Sequence, residues 1–364
     1  MNTPLVSVVM AVFNGERFLP ETLDSVLNQT FRDFELIIVD DGSTDGTPAV
    51  LAHYLQADPR LVVQHGPNRG QVVSLNIGCR LARGRYIARI DADDVCLPER
   101  FERQVQFLER NPQVAMVGSS ISNIDERGTP LATWPLPTGD QEIRDRLFGL
   151  REIPFCHVTL MFRTVVYHAV NGYRTAFAPA EDYDMWLRIA ERWQVANLPE
   201  PLVKVRRRAQ SLSFTHARQQ VISRLVALAV SEKRRAGERD PIDQEEPVSL
   251  GLARSLGVSD AVFEASLMGV YQYWIDAMLQ AGDKAGALSI MRQALESQSW
   301  KHLNRSIVAN TWLAAAQIHS EQGSYWRSMS CVARAVAARP IIVGRPVKRL
   351  ANTLGFLNDG AGRA

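Results

Sequence analysis

The amino-acid sequence predicts an α/β fold, a mostly parallel sheet flanked by helices, followed by an all-α C-terminal domain. Short runs of β-forming residues alternate with segments of helical periodicity in the N-terminal part of the chain. Acidic residues directly follow two of these runs. From about Ala217 onward the pattern is helical, apart from a polar linker at residues 236–247. We therefore expect two domains, residues 1–215 and residues 216–364.

The chain opens with a predicted βαβ unit. Residues 6–13 are nearly all apolar, as in a strand covered on both faces, and the run ends at the turn signal Asn14-Gly15. Apolar side chains recur at helical spacing through residues 19–27, which predicts a helix. A second apolar run, residues 34–39, stops at Asp40-Asp41-Gly42-Ser43 and completes the unit.

The same alternation continues as far as residue 90. The sequence predicts a helix at residues 49–55, a strand at 61–64, a helix at 72–82 and a strand at 86–90. Alternation of this kind is typical of a parallel sheet with helices on both faces, where ligands bind beyond the carboxyl ends of the strands. The acidic residues 40–41 and 91–94 both follow such ends.

The pattern is less regular beyond residue 112. The sequence predicts strands at residues 115–120 and 158–162 and a helix at 183–192. In the helical part, residues 280–283 and 321–324 resemble two equivalent turns, each followed by an alanine-rich helix. Tetratricopeptide-like hairpins are one interpretation, and an ordinary helical extension is the other, because the spacing of the two copies is irregular.

The composition is typical of a soluble globular protein. Of the 364 residues, 46% are hydrophobic, and the formal net charge of +2 gives no strong field that would select nucleic acid. The four cysteines have neither zinc-site nor disulfide spacing, as expected in a reducing cytosol. No signal-peptide pattern is present, and the apolar runs reach about half of the roughly 20 residues that a membrane span needs. We expect a cytoplasmic protein without a transmembrane span, whose membrane contact is at most peripheral.

Three carboxylates follow the predicted strand 86–90, at Asp91, Asp93 and Asp94. Like charges at this spacing repel and cannot all be buried unpaired, so the run indicates a bound cation. Hard oxygen ligands on a short loop suit Mg²⁺ or Mn²⁺, which in turn bridge the phosphate oxygens of a substrate. The alternative is a solvated acidic turn that caps the helix beginning after Pro98.

Residues 40–46 form the second acidic loop. Ser, Thr, Asp and Gly are favoured in turns and at helix N-caps for local backbone reasons, and this interpretation accounts for the glycines and for Ser43 or Thr44. It does not explain why two aspartates directly follow an apolar strand. A carboxylate in that place can accept hydrogen bonds from a ribose or from a base N–H.

Five motifs in order resemble those of the family-2 glycosyltransferases with the GT-A fold. They read PLVSVVMAVFNG at residues 4–15, SVLNQT at 25–30, ELIIVDDGSTD at 35–45, NRG at 68–70 with NIG at 76–78, and DADD at 91–94. The resemblance covers about residues 4–215 and is specific, because all five motifs occur in the family's order.

The resemblance implies the roles of residues in a donor site for a nucleoside diphosphate sugar. Asp41 would contact the nucleobase, Asp91 the ribose or a metal-bound water, and Asp93 with Asp94 the divalent metal, Mn²⁺ or Mg²⁺. The backbone near Ala11, Phe13 and Asn14 would line the nucleotide pocket.

The resemblance also implies a catalytic base. In Glu181-Asp182 ahead of a helix, the second acid, Asp182, matches the family's base. A base on one face of the sugar and a metal at the leaving diphosphate on the other give inversion, so an α-linked donor yields a β-linked product. Helix capping is the alternative role for this acid, since acids favour helix N-termini.

Two departures from the family pattern affect the prediction. Arg208 occupies the place where many relatives carry a histidine near the metal or diphosphate. Since arginine pairs with phosphate but does not ligate a metal, we expect charge-based donor binding and a weaker hold on the metal, with a solvated basic turn as the alternative. The Gln-x-x-Arg-Trp motif and membrane spans of processive synthases are absent, which favours transfer of a single sugar.

The leading hypothesis is an inverting enzyme that transfers one sugar to a glycan or lipid-linked acceptor in cell-surface polysaccharide assembly. A nucleotidyltransferase is disfavoured because residues 12–15 lack the Gly-rich, basic phosphate loop that it needs. A nucleotide-sugar-binding scaffold that recruits partners through its helical C-terminus is the non-enzymatic alternative. The basic and apolar residues 345–357 would either lie on an anionic bilayer or pack on their own domain.

Overall fold

A computed structural model of the chain describes residues 3–149, 153–207, 216–242, 246–280, 284–296 and 305–338. The chain forms two compact units, Met1–Gly257 and Val258–Ala364. The first unit has an α/β architecture and the described part of the second is helical. The predicted α/β class with a helical C-terminal region is therefore confirmed.

The first unit contains most of the regular elements. Its strands are β1 (Val6–Val12), β2 (Phe34–Asp40), β3 (Leu61–His65), β4 (Tyr86–Arg89), β5 (Val95–Cys96), β6 (Val114–Ile124), β7 (Pro130–Trp134), β8 (Met161–Arg163) and β9 (Gln194–Arg206). Its helices are α1 (Leu19–Leu27), α2 (Thr47–Ala57), α3 (Gln71–Leu81), α4 (Arg100–Arg110), α5 (Asp140–Phe148), α6 (Thr164–Ala169), α7 (Glu181–Ala190), α8 (Ala217–Arg235) and α9 (Leu250–Ser255).

The strands form one sheet with the order β3-β2-β1-β4-β8-β6-β9-β5, and β7 pairs with β6. The first four strands in this order are parallel, as the alternating pattern predicts. Strand β8 runs antiparallel to both of its neighbours, whereas β6 and β9 are parallel. The expected mostly parallel arrangement thus holds for the β3-β2-β1-β4 half, and the other half is mixed.

The prediction of a strand at residues 158–162 was wrong in its first half. His157–Thr159 form a 3₁₀ turn, and the strand β8 begins only at Met161. The backbone N–H and the hydroxyl of Thr159 both donate to the carbonyl of Cys156, at 2.9 and 2.8 Å. These local bonds close a turn, and they outweigh the β preference of the apolar residues around it.

Helices cover both faces of the parallel strands. On one face, α1 and α4 bury Leu23 and Phe101 against Val8, which is fully buried. On the other face α3 lies very close to β1, because a Cβ added at Gly78 would lie 2.6 Å from a methyl carbon of Val9. This packing places the carboxyl ends of β1, β2 and β4 side by side.

The first unit continues beyond residue 215, where the sequence led us to expect a domain boundary. Arg234 of α8 pairs with Glu191 at 2.6 Å and with Asp240 at 2.7 Å. The same Asp240 pairs with Arg174 at 2.8 Å, and Arg174 also pairs with the buried Asp184 of α7. This ion network connects α8 to α7, so the helix that begins at Ala217 belongs to the α/β unit.

The second unit contains the helices α10 (Asp260–Gln280), α11 (Lys284–Glu296), α12 (Arg305–Glu321) and α13 (Tyr325–Ala338). The turn between the last two is closed at Gly323, whose φ is 73°, and Ser324 N–H donates to the His319 carbonyl at 2.8 Å. The equivalent turn at residues 281–283 and the tail 345–357 lie outside the described residues. Tetratricopeptide-like hairpins therefore stay a prediction.

Candidate functional site

The loops after β1 and β2 are joined by hydrogen bonds at the carboxyl edge of the sheet. The backbone N–H of Asn14 donates to Ser43 Oγ at 2.9 Å, and Asn14 Oδ1 accepts from the Thr44 N–H at 2.8 Å. Gly15 N–H donates to Thr47 Oγ1 at 2.8 Å. Asn14 has a φ of 51°, a left-handed conformation that asparagine tolerates better than most residues. The two loops therefore form a single wall.

Phe13 and Ala11 lie at the end of β1 beside this wall. Ala11 pairs with Val39 in the parallel ladder and is partly buried. Phe13 is 49% exposed, although most large apolar side chains of the unit are buried. An exposed aromatic ring at the ligand edge of a parallel sheet offers a flat surface on which a base can stack.

The two adjacent aspartates after β2 have different partners. Asp40 accepts from the Ser43 N–H and contacts His65 Nδ1, each at 3.0 Å, and it closes the turn. Asp41 is 5% exposed and accepts three hydrogen bonds of 2.9 Å, from the backbone N–H groups of Arg69 and Gly70 and from the hydroxyl of Ser74. Asp41 therefore holds the start of α3 in place. Its Oδ1 accepts two of these bonds and its Oδ2 one, so Oδ2 retains a lone pair for a further donor.

The acidic loop after β4 gathers its three carboxylates. One oxygen from each of Asp91, Asp93 and Asp94 lies within 4.8 Å of the others. Asp94 is 2% exposed, and burial, followed by the charges of Asp93 and Asp91, raises its pKa well above the ordinary range. Because the carboxylates repel one another, a divalent cation would relieve the repulsion. The donor set therefore fits Mg²⁺ or Mn²⁺.

The end of β9 holds this loop in place. The backbone N–H of Arg206 donates to Asp94 Oδ1 at 2.8 Å, and its Nε donates to the Asp93 carbonyl at 2.9 Å. The Arg206 guanidinium also pairs with Glu21 at 2.6 Å and lies 4.6 Å from the centre of the Phe18 ring. Arg208, two residues further on, lies outside the described residues, so its contact with the donor stays a prediction.

The Glu181-Asp182 pair begins α7. Burial and the charge of Asp182 raise the pKa of Glu181 to about 8. Burial raises the pKa of Asp182 to about 6, although the Tyr183 N–H and the charges of Arg224 and Arg89 oppose the rise. The Tyr183 N–H donates to Asp182 Oδ1 at 2.7 Å, so Asp182 also satisfies a backbone donor at the helix N-terminus.

Three arginines near the acids were missed by the sequence reasoning: Arg89, Arg206 and Arg224. Arg224 of α8 lies 4.9 Å from the centre of the Tyr183 ring, next to Asp182. Arg89 is 1% exposed and pairs with Asp91 at 2.5 Å. A detectable signal existed for Arg89, because it is the one charge within the apolar strand 86–90.

The charge of Arg89 acts on both acidic groups. It opposes the rise in the pKa of Glu181 and of Asp182, and Asp91 in turn raises the pKa of Glu181. Desolvation, followed by the charge of Arg89, lowers the pKa of His157, whose Nε2 lies 2.8 Å from the Tyr173 hydroxyl. The charge of Arg89 therefore acts both on the acidic loop after β4 and on the acidic pair of α7.

Comparison with known proteins identifies the family of the chain. The model of the family described as Glycosyl transferase family 2 matches residues 7–169, a range that includes β1, β2 and the acidic loop after β4. The chain is 38% identical to EpsE of Bacillus subtilis strain 168, which is named as a glycosyltransferase, over 59% of this chain and 78% of that protein. The chain belongs to glycosyl transferase family 2, and the resemblance noted in the sequence is confirmed.

Two further relatives have more specific names. The amylovoran biosynthesis glycosyltransferase AmsE of Erwinia amylovora is 33% identical over 56% of this chain and 76% of that protein. The O-antigen biosynthesis glycosyltransferase WbnJ of Escherichia coli is 35% identical over 56% of this chain and 79% of that protein. Glycosyl transfer is the activity that these names share.

Among solved structures, the chain is similar to S. aureus TarS 1-349 in complex with UDP-GlcNAc. The TM-score is 0.53 and the sequence identity 15%, with 90% of both chains covered. At this identity the likeness concerns the fold alone. In the described part of our chain, every helix falls short, in length or apolar character, of what a bilayer-spanning segment requires.

Proposed function

We propose that the protein is an inverting glycosyltransferase that moves a single hexosyl or N-acetylhexosaminyl group from a nucleoside diphosphate sugar to a glycan or lipid-linked acceptor. The observation that carries the proposal is the arrangement of two acidic groups around one buried cation. The carboxylates after β4 pair with Arg89 at 2.5 Å through Asp91, and the charge of Arg89 also acts on Asp182 at the start of α7.

The donor binds along the carboxyl edge of β1, β2 and β4. Phe13 stacks on the nucleobase and the backbone at Ala11 and Asn14 lines the pocket, which the exposure of Phe13 and the hydrogen-bonded wall support. Asp41 accepts a hydrogen bond from the base in addition to those from Arg69 and Gly70. Arg208 pairs with a donor phosphate oxygen.

Asp93 and Asp94 would hold the divalent metal, and Asp91 would contact the ribose or a metal-bound water. When bound, Mn²⁺ or Mg²⁺ supplies positive charge that stabilises the leaving diphosphate. The side chains of the protein hold the acidic loop in position. Arg206 holds the Asp93 backbone through its guanidinium and the Asp94 carboxylate through its backbone N–H, which keeps the acidic loop in position.

Asp182 acts as the general base. With a pKa of about 6, Asp182 is ionised at neutral pH. This pKa also lies close enough to the operating pH for efficient proton transfer. The acceptor hydroxyl gives its proton to Asp182 as its oxygen forms a bond to the anomeric carbon. The bond from that carbon to the phosphate oxygen breaks on the opposite face, and the electron pair leaves with the diphosphate. The configuration at the anomeric carbon is therefore inverted.

The names of AmsE and WbnJ support a place in polysaccharide assembly for this chain. A lipid-linked acceptor would require the enzyme to work in the cytoplasm at the inner face of the membrane, by peripheral contact. Recovery of activity in the membrane fraction of cells, and its release by high salt, would test that location.

Donor turnover tests the proposal directly. A panel of nucleotide sugars is offered with an acceptor extract, with and without Mn²⁺, to the wild type and to Asp182→Asn, Asp93→Asn and Asp145→Asn. Asp145 is an exposed acid on α5, so its variant serves as the matched control. We expect Asp182→Asn to lower donor turnover at least about a hundredfold and Asp145→Asn to keep the wild-type turnover.

Two outcomes would contradict the proposal. Wild-type turnover by Asp182→Asn in the presence of a true acceptor would exclude Asp182 as the base and would indicate another base. Turnover that is the same with Mn²⁺ and with a chelator would exclude the role given to Asp93 and Asp94.

A further inference from the structure

Arg89 is the last residue of β4, and its side chain is almost completely buried. Successive strand residues face opposite sides, so Ala88 joins the core under α1 and α4 whereas Arg89 points to the face covered by α3. On that face burial raises the pKa of Cys79, a residue of α3, and the charge of Arg89 opposes the rise. The guanidinium is 1% exposed.

A buried guanidinium is costly unless its charge and its N–H groups are satisfied. Arg89 makes one ion pair, from NH1 to Asp91 Oδ1 at 2.5 Å. Its Nε and NH2 have no hydrogen-bond partner among the residues that the structure describes. One ion pair therefore leaves part of the desolvation cost uncompensated.

The surrounding acids supply the compensation. Burial opposes the charged form of Arg89, yet Asp91, Tyr173 and Asp94 raise its pKa above the ordinary value. The charge of Arg89 also favours the carboxylate forms of Glu181 and Asp182. Acids from the loop after β4 and from the start of α7 thus share one cation.

We propose that Arg89 is a positioning residue that holds the metal-binding loop and the base pocket in one arrangement. Its ion pair fixes the carboxylate of Asp91, and its charge stabilises the ionised form of Asp182. The inference rests on the proposed function, because it takes Asp182 as the base. Arg89 itself takes no proton and touches no reacting atom.

The groups that act on Asp182 come from several elements. Glu181 precedes it on α7, Arg224 faces it from α8, Arg89 from β4, and Tyr173 from the segment before α7. Arg224 and Arg89 are the cations of this set. Loss of Arg89 therefore leaves Asp182 with Arg224 as the one cation of this set, so less positive charge opposes the effect of burial, and ionisation is disfavoured.

The test compares Arg89→Met with Arg89→Lys. The first substitution removes the positive charge, and the second keeps the charge but changes the geometry of the group that carries it. In Arg89→Met we expect the acid limb of the kcat/KM profile to move up by about one pH unit. In Arg89→Lys we expect the acid limb to stay within about 0.3 pH units of the wild type, with kcat lowered about tenfold because Asp91 is no longer oriented.

A second readout does not depend on activity. The rise in unfolding temperature on adding Mn²⁺ with UDP, GDP, ADP or dTDP, each in turn, measures formation of the metal site. We expect both variants to lose at least about half of the rise that the wild type shows. A purely structural arginine would lower the unfolding temperature without ligand but leave the acid limb and the ligand-induced rise unchanged, and this result would overturn the proposal.

The remaining outcomes are also decisive. If Arg89→Met does not fold, Arg89→Lys is compared with the wild type, and equal kcat with an equal ligand-induced rise overturns the proposal. Asp182→Asn is measured in the same series. If Asp182→Asn turns over the donor at the wild-type rate, Asp182 is not the base. The role of Arg89 is then tested only by the ligand-induced rise in unfolding temperature. A wild-type rise in Arg89→Met overturns its positioning role.

Discussion

The backbone N–H of Arg206 donates to Oδ1 of Asp94 at 2.8 Å and connects the last residue of β9 to the acidic loop after β4. Residues more than a hundred positions apart thus hold the acidic loop in place. The same arginine donates to the Asp93 carbonyl, so two of the three acids depend on it.

Replacement of Arg206 should weaken both the fold and the metal site. We expect Arg206→Met to lower the free energy of unfolding by about 2 kcal/mol, because several buried hydrogen bonds to its guanidinium are lost. Denaturant unfolding measures this. Arg17→Met is the matched control, since Arg17 also lies 4.6 Å from the centre of the Phe18 ring but is exposed. Equal effects of the two substitutions would contradict the anchoring role.

Asp41→Asn should impair donor binding more than chemistry. The amide cannot accept both backbone N–H groups as strongly as the carboxylate, so the loop at Arg69 and Gly70 shifts. We expect KM for the donor to rise about tenfold with kcat nearly unchanged, in steady-state kinetics. Ser74→Ala removes only one neutral donor to Asp41 and should raise KM by a smaller factor. A lower kcat at unchanged KM would refute this assignment.

The exposed ring of Phe13 should contribute to nucleotide affinity without contributing to stability. We expect Phe13→Ala to weaken binding of the nucleoside diphosphate about tenfold by calorimetry, because a stacking contact is lost. Val165→Ala is the control for loss of an exposed apolar side chain, since Val165 is also exposed. Unchanged affinity in Phe13→Ala would place the base elsewhere.

The pH dependence of kcat/KM should show the Glu181-Asp182 pair. The base acts as a carboxylate, and its raised pKa of about 6 means that turnover falls as the pH drops through about 6. Glu181, with a pKa of about 8, is protonated at neutral pH, so Glu181→Gln should leave this acid limb within about half a pH unit. An acid limb near the ordinary aspartate value of about 4 would show that Asp182 is not buried in this way during catalysis.

Most regular elements around the site could be predicted because their signals are local. The apolar run before Asn14-Gly15 predicted β1, and helical spacing predicted α1 and α3, each to within a few residues. The failure at residues 158–162 has a local cause as well, since Thr159 bonds back to Cys156. Apolar composition alone does not contain that side-chain bond.

The different roles of Asp40 and Asp41 could not be separated from the sequence. Both follow the same apolar strand, and both residue types suit a turn. Strand alternation points them to different sides, so Asp40 reaches His65 and Asp41 reaches the start of α3. The neighbours that distinguish them belong to other elements.

The sequence by itself determined the α/β class, the family and the acids that line the site, because periodicity and motif spacing are properties of neighbouring residues. Only the tertiary structure decided which cations meet those acids. Arg89, Arg206 and Arg224 come from two strands and from a helix beyond residue 215. Their effect on Asp91, Asp94 and Asp182 depends on distance and burial, and both are set by packing between elements far apart in the chain.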